Sequence, residues 1–276
     1  MLIKRKLVLG AVLLTFIPSV VISFLIASIA ISSSNSSLQE AAKNQLVSIR
    51  DIKKSEIESY FQTIQHQVTT FSNDRMIIDA MKEFKSSFSS FAQQANKENT
   101  NELRIELAKY YTNEFGEEYK KLNGNKTAKV SEMLKSLDDD SVAFQYQYIQ
   151  ANKHPLGSKD SLINTDDGSE YSQLHAKYHS HIRDYLQKFE YYDIFLVDSN
   201  TGDIVYSVFK ELDYTTSLKT GIYANSGIGQ AFKGANEATT AEHTTLTDFA
   251  PYTPSYNAPA SFIASPIFRC YCFRHY

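Results

Sequence analysis

Three histidines, His175, His179 and His181, lie close together, and the i, i+4 pair His175/His179 would place two imidazoles on one helical face, as a zinc site does. No third ligand accompanies them, and no metal is expected. Asp198-x-Asn200-x-Gly202-Asp203 has the oxygen-rich start of a calcium loop. It lacks the closing Glu of an EF-hand, so the spacing predicts a β-turn. Ser226 sits in Ala224-Asn225-Ser226-Gly227-Ile228, where Ala replaces the first glycine of a nucleophile elbow. Gly227-x-Gly229 lacks the third glycine of a dinucleotide loop and does not directly follow a strand. No nucleophile is paired with a base, so neither a catalytic residue nor a cofactor is expected, and the chain is not read as an enzyme.

Binding chemistry remains. Small-molecule sites are mostly apolar, with a few polar groups that fix orientation. Tyr206, Lys210, Asp213, Tyr214, Tyr223, Asp248 and Tyr252 lie on or beside predicted strands and form the candidate ligand set. A Lys or Asp among them could pair with a charged group in a partly desolvated pocket.

The elements that must position this set begin with two strands. Residues 194–197 are a continuous apolar run, and 204–209 are a second one rich in β-branched and aromatic side chains. Residues 198–203 between them hold the turn formers Asn200 and Gly202. Residues 245–252 and 260–268 read as further strands, joined by a Pro-rich turn, and 228–233 as a short helix. Upstream the pattern is helical. Ile57, Phe61, Ile64, Val68 and Phe71 step by four, three, four and three residues, and the rhythm resumes after Ser72-Asn73-Asp74 at Ile77, Met81 and Phe84. This seam predicts a long helical stalk and a homodimer formed along it. Helices are also predicted over 102–122 and 129–151, with Gly124 and the run Asp138-Asp139-Asp140 marking interruptions, and a last one through Tyr171, Leu174, Tyr178, Ile182, Tyr185 and Phe189.

The N-terminus sets the compartment. Residues 7–31 carry no charge, and as a helix they would span roughly 37 Å, against a hydrocarbon core of roughly 30 Å. Pro18 within the run is tolerable if Thr15, Ser19 or a neighbouring helix satisfies the carbonyl it frees. Lys4-Arg5-Lys6 precede the run and place the N-terminus in the cytoplasm. The alternative is a signal peptide cleaved after Ser28-Ile29-Ala30, which would need an apolar core about twice the usual length; either way, residues from about Ser32 onward lie outside the cytoplasm. The polar SSSNSS at 32–37 marks an exit from the membrane and offers N-cap residues to the next helix. A net charge of −3 gives no basic surplus for nucleic acid. The only cysteines, Cys270 and Cys272, alternate in an extended tail and are poorly placed to bridge each other.

The hairpin phrase Phe195-Leu196-Val197-Asp198, Thr201-Gly202, Val205-Tyr206-Ser207 resembles the opening of the sheet in bacterial extracytoplasmic Cache sensor domains. The stretches 144–149 (FQYQYI), 154–160 (HPLGSKD), 174–179 (LHAKYH), 248–255 (DFAPYTPS) and 259–268 (PASFIASPIF) resemble, in the same order, the sensor region of methyl-accepting chemotaxis proteins. The resemblance implies an α+β fold: a transmembrane helix, a long helical stalk or bundle, then a PAS-like antiparallel sheet. It divides the chain into a cytoplasmic N-terminus (1–6), a membrane helix (7–31), an extracytoplasmic helical region (32–190), a sensor sheet (191–268) and an atypical tail (269–276). It further implies the bacterial inner membrane, with the bulk of the chain in the periplasm and an unknown small molecule as ligand; with no second apolar run, the chain as written is expected to cross once.

Receptors of this kind continue with another strand, a second membrane helix, a HAMP module and a cytoplasmic coiled coil. Here Phe268 is followed by RCYCFRHY. The sheet is therefore expected to lack its last strand, and the chain as written to bind without signalling. The same sensor could instead belong to a histidine kinase or nucleotide cyclase, or the chain could be a membrane-anchored structural stalk.

Overall fold

The computed structural model describes residues 2–268; the tail at 269–276, with both cysteines, lies outside them. The chain forms two compact units, Met1–Thr63 and Ile64–Tyr276.

The first unit is helical throughout, as the larger part of α1 (Leu2–Ser72). Its N-terminal stretch is long and apolar enough to cross a membrane, with mean hydropathy 2.5 in its most apolar window. Pro18 is accommodated inside the helix. The hydroxyls of Thr15 and Ser19 donate to Ala11 and Phe16, at 3.0 and 2.9 Å. The Leu14 carbonyl, which Pro18 leaves without its i+4 donor, is therefore not served by either hydroxyl. The serine-rich stretch at 32–37 does not cap a new helix either. Ser36 Oγ donates back to Ser32 O within a continuous turn, as serines do when a helix runs on.

The second unit mixes helices with small antiparallel ladders. The helical run expected across Ser72-Asn73-Asp74 breaks there: Asp74 Oδ1 accepts the Met76 amide at 2.7 Å and caps α2 (Arg75–Phe88). α2 buries Ile77, Ala80, Phe84 and Phe88, one face at helical spacing. A one-turn helix, α3 (Phe91–Gln94), follows. The predicted helix over 102–122 is α4 (Thr100–Lys109), a π-helical stretch (Tyr110–Phe115) and α5 (Gly116–Leu122). The one expected over 129–151 is interrupted at the acidic run, into α6 (Val130–Lys135) and α7 (Asp139–Gln145), and is followed by a π-helical stretch (Tyr146–Gln150). Asp138 explains the break, because its carboxylate accepts the Ser141 amide at 2.7 Å and starts a new helix. A 3₁₀ turn (Lys159–Ser161) precedes α8 (Glu170–Phe189), which Ser169 caps and which ends on left-handed Glu190 (φ 59°).

β1 (Phe195–Val197) and β2 (Ile204–Ser207) form the predicted antiparallel hairpin, with an irregularity in register at Leu196/Val197. Gly202 closes its turn at φ +82°, where an added Cβ would lie 2.8 Å from the Lys219 amide nitrogen. α9 (Gly227–Asn236) comes next. The two later strands expected as single runs are four short ones, β3 (Thr245–Leu246), β4 (Ala250–Tyr252), β5 (Ala258–Ala260) and β6 (Ile263–Ala264). β3 pairs with β6 and β4 with β5. Three two-stranded ladders thus stand where one sheet was expected. Pro251, Pro254, Pro259 and Pro266 account for much of this, since each removes a main-chain donor a longer ladder would need.

The core of the second unit is aromatic. Phe144 stacks on Phe91 at 3.9 Å and on Phe88 at 4.5 Å, and meets Tyr171 edge-on at 4.7 Å. Phe84 stacks on Tyr206 at 5.0 Å, tying α2 to β2.

Candidate ligand-binding site

β2 runs into a segment, 208–218, that is almost entirely buried and rich in charge. Asp193, just before β1, holds its start: one carboxylate oxygen accepts the amides of Ile194, Val208 and Phe209, at 2.6, 2.9 and 3.2 Å. The other accepts the Ser207 hydroxyl at 2.8 Å, and Ser207 Oγ in turn accepts the Lys210 amide. This clamp turns the chain inward at Lys210, which adopts φ +57° and is 2% exposed. A buried lysine in the left-handed region is costly on both counts, the kind of feature that clusters at functional sites.

Lys210 Nζ donates to Val208 O at 2.8 Å and has no carboxylate within ion-pair distance among the described residues. Burial pulls its pKa down to about 7, against the pull of Asp193 and Asp160. Glu211, next to it, accepts the hydroxyls of Tyr192 (2.6 Å) and Ser255 (3.0 Å). Burial and the Asp213 charge push its pKa up to about 8. Asp213 is fully buried and takes the Tyr252 hydroxyl on one oxygen, while its Oδ1 and the Tyr223 hydroxyl find no partner among the described residues. Tyr223 and Tyr252 lie 5.8 Å apart, ring to ring.

Five of the seven predicted residues, Lys210, Asp213, Tyr214, Tyr223 and Tyr252, thus fall along this buried segment and its cover. Tyr206, Tyr214 and Asp248 are engaged elsewhere. Tyr206 donates to His179 Nδ1 at 2.7 Å, because His179 Nε2–H is committed to Asp160 O at 2.6 Å. Tyr214 donates to the Tyr171 hydroxyl, which itself donates to Val205 O. Both are satisfied inside the core. Asp248 is exposed, in the connection between β3 and β4, and accepts only its neighbour's amide.

His175 and His179 stack at 4.3 Å, while His181 is exposed. Burial holds the His179 pKa down at about 3 and that of His175 well below its usual value, so both rings are neutral. Asp198 is engaged by Lys85 of α2 at 2.6 Å and by the Asn200 amide, as a turn residue is.

A small cavity opens on the same segment, with about 20 Å³ of room, enough for a group the size of one water. Lys159, Lys210, Glu211, Tyr110 and Tyr256 are among its walls. Lys159 is 5% exposed, donates to Asn152 O at 2.7 Å and lies over the Tyr110 ring. Neither Lys159 nor Asp193 belongs to the predicted set. Asp193 could have been suspected as a carboxylate beside the first strand, but nothing in the sequence joins Lys159 to Lys210.

No protein-family model, curated protein or solved structure matches this chain.

The raised pKa of Asp213, about 6 from burial, has a consequence for stability. The folded state keeps its proton up to about pH 6, whereas the unfolded chain releases it near pH 4. This contribution is therefore full below about pH 4 and is lost as the pH rises through about 6. Asp213→Asn, which keeps the neutral form, should gain about 2–3 kcal/mol relative to wild type between pH 4 and pH 8. Urea titrations of both proteins at those two pH values check the sign.

Proposed function

We propose that this chain is the ligand-sensing part of a transmembrane chemoreceptor of the methyl-accepting chemotaxis type, anchored in the bacterial inner membrane by the N-terminal stretch of α1. The ladders β1–β2, β3–β6 and β4–β5 are read as parts of a PAS-like, Cache-type sensor. The bulk of the protein would lie in the periplasm, and the exposed apolar positions Leu46, Ile49, Ile57 and Phe61 of α1 would form a dimer seam.

The observation that carries the proposal is Lys210, buried, left-handed and unpaired with any described carboxylate, beside buried carboxyl groups on the segment leaving β2. A scaffold has no need of such a residue, since an apolar side chain would be more stable there. A binding site does, because a ligand can supply the missing partner. Ligand closure would favour one conformation of the unit, and the membrane helix would report it.

The full chain in lipid nanodiscs should respond to a panel of organic acids, amines, amino acids and sugars. At least one compound should raise the melting midpoint, followed by circular dichroism, in a saturable way. Indifference to the whole panel would leave the structural stalk as the better account.

A further inference from the structure

Two buried lysines line one cavity, and neither is ion-paired among the described residues. Lys159 and Lys210 are 5% and 2% exposed and both line the space beside Glu211. Each ammonium has a main-chain carbonyl as its hydrogen-bond acceptor, Asn152 O and Val208 O respectively. An ammonium carries three donors and gains most from an anionic acceptor. Glu211 does not serve: it makes no ion pair with either lysine among the described residues, and burial keeps its carboxyl protonated up to about pH 8. The remaining walls are largely apolar or aromatic, including Phe115, Leu156, Leu212 and Pro254.

Granting the sensing role proposed above, we infer that this cavity receives the carboxylate of a small monocarboxylic acid, held by Lys159 and Lys210, with its short apolar chain against Phe115 and Leu156. A second charge, as in a dicarboxylate or phosphate, would be left against those apolar walls. A carboxylate exceeds the room available, so one wall must yield. Pro254 and Tyr256 belong to the turn between β4 and β5, where Tyr256 and Asn257 hold φ of +56° and +61°.

The charges around Lys210 give a signature of binding. Asp193 just before β1, Asp160 on the 3₁₀ turn, and His175, His179 and Arg183 on α8 act on it electrostatically, and Glu211 lines the same cavity. Around Lys159 the groups are Glu114 and Tyr110 of the π-helical stretch. The two histidines are neutral and do not compete for the proton. Lys210, titrating near 7, is the cavity cation that an arriving carboxylate would charge fully. Binding at pH 7 should take up as much as about half a proton at Lys210.

Calorimetric titration of the full chain in nanodiscs with sodium propionate tests this, run at pH 7 in two buffers of different ionisation enthalpy. Saturable binding at one site per chain with net proton uptake is expected. Lys210→Met and Lys159→Met should each weaken it at least tenfold, and Asp248→Asn should leave it unchanged. The proton count is read on the unaltered protein, so it stands even if a lysine variant fails to fold. Proton release, or affinity indifferent to both lysines, would overturn the inference, as would tighter binding of phosphate. If propylammonium binds and propionate does not, the carboxylate assignment fails while the sensing role survives. If nothing in the wider metabolite panel binds either, both fail.

Discussion

Phe144→Ala should lower the stability of the second unit by about 3–5 kcal/mol, the usual cost of truncating a buried phenylalanine. Phe144 is fully buried on α7 and contacts the rings of Phe88, Phe91, Tyr148, Tyr171 and Tyr214. Those rings come from α2, α3, the π-helical stretch after α7, α8 and the segment after β2. Removing the central ring leaves a cavity that five elements would have to collapse together to fill, which close-packed interiors do only in part. For a unit of this size the loss corresponds to a fall of roughly 6–20 °C in melting midpoint. Thermal denaturation followed by circular dichroism measures it; a fall under about 2 °C would show that this cluster is not the centre of the core.

The second large effect is expected at Gly229, in the first turn of α9. A Cβ there would lie 2.2 Å from Ala224 O and 2.6 Å from Tyr223 O. Both are main-chain atoms, so no side-chain rotation relieves the overlap, and either α9 or the 223–224 backbone must shift. Gly229→Ala should cost about 3 kcal/mol, the upper end of ordinary overpacking. It should also displace Tyr223, whose hydroxyl is buried beside Asp213. Gly10→Ala, with nothing within 4 Å of the new methyl, is the matched control and should be neutral. Equal melting midpoints for the two variants would show that the turn adapts freely.

Local chemistry explains what could be read from the chain. Asp74 and Asp138 cap helices through carboxylates two or three residues from their partners. The pause at 72–74 shows in the apolar rhythm, and the acidic run Asp138-Asp139-Asp140 marks the break before α7. Along α8, the stripe Tyr171, Tyr178 and Ile182 is buried as its spacing implied. The same face also buries His175 and His179, whose i, i+4 spacing suits a metal and a packed helix face equally well. The π-helical stretches were not legible, since they depend on packing against other elements rather than on intrinsic preference.

The site divides in the same way. Lys210, Asp213, Tyr223 and Tyr252 lie along the buried segment or its cover, as their position beside predicted strands suggests. Tyr206 and Tyr214 were equally eligible by position, but their hydroxyls are consumed by His179 and Tyr171. Asp248 failed because its connection stays at the surface. Lys159 reaches the cavity from 51 positions upstream of Lys210, and only the tertiary fold brings them together.

The sensing claim is tested most directly by amide hydrogen exchange on the full chain in nanodiscs, with and without a pooled mixture of small metabolites. A ligand seated beside Lys210 should slow exchange in residues 208–218 and in the turn at 253–257, and leave residues 38–60 of α1 unchanged within their own fast exchange. Identical exchange throughout, with the mixture present at millimolar concentration, would contradict the account.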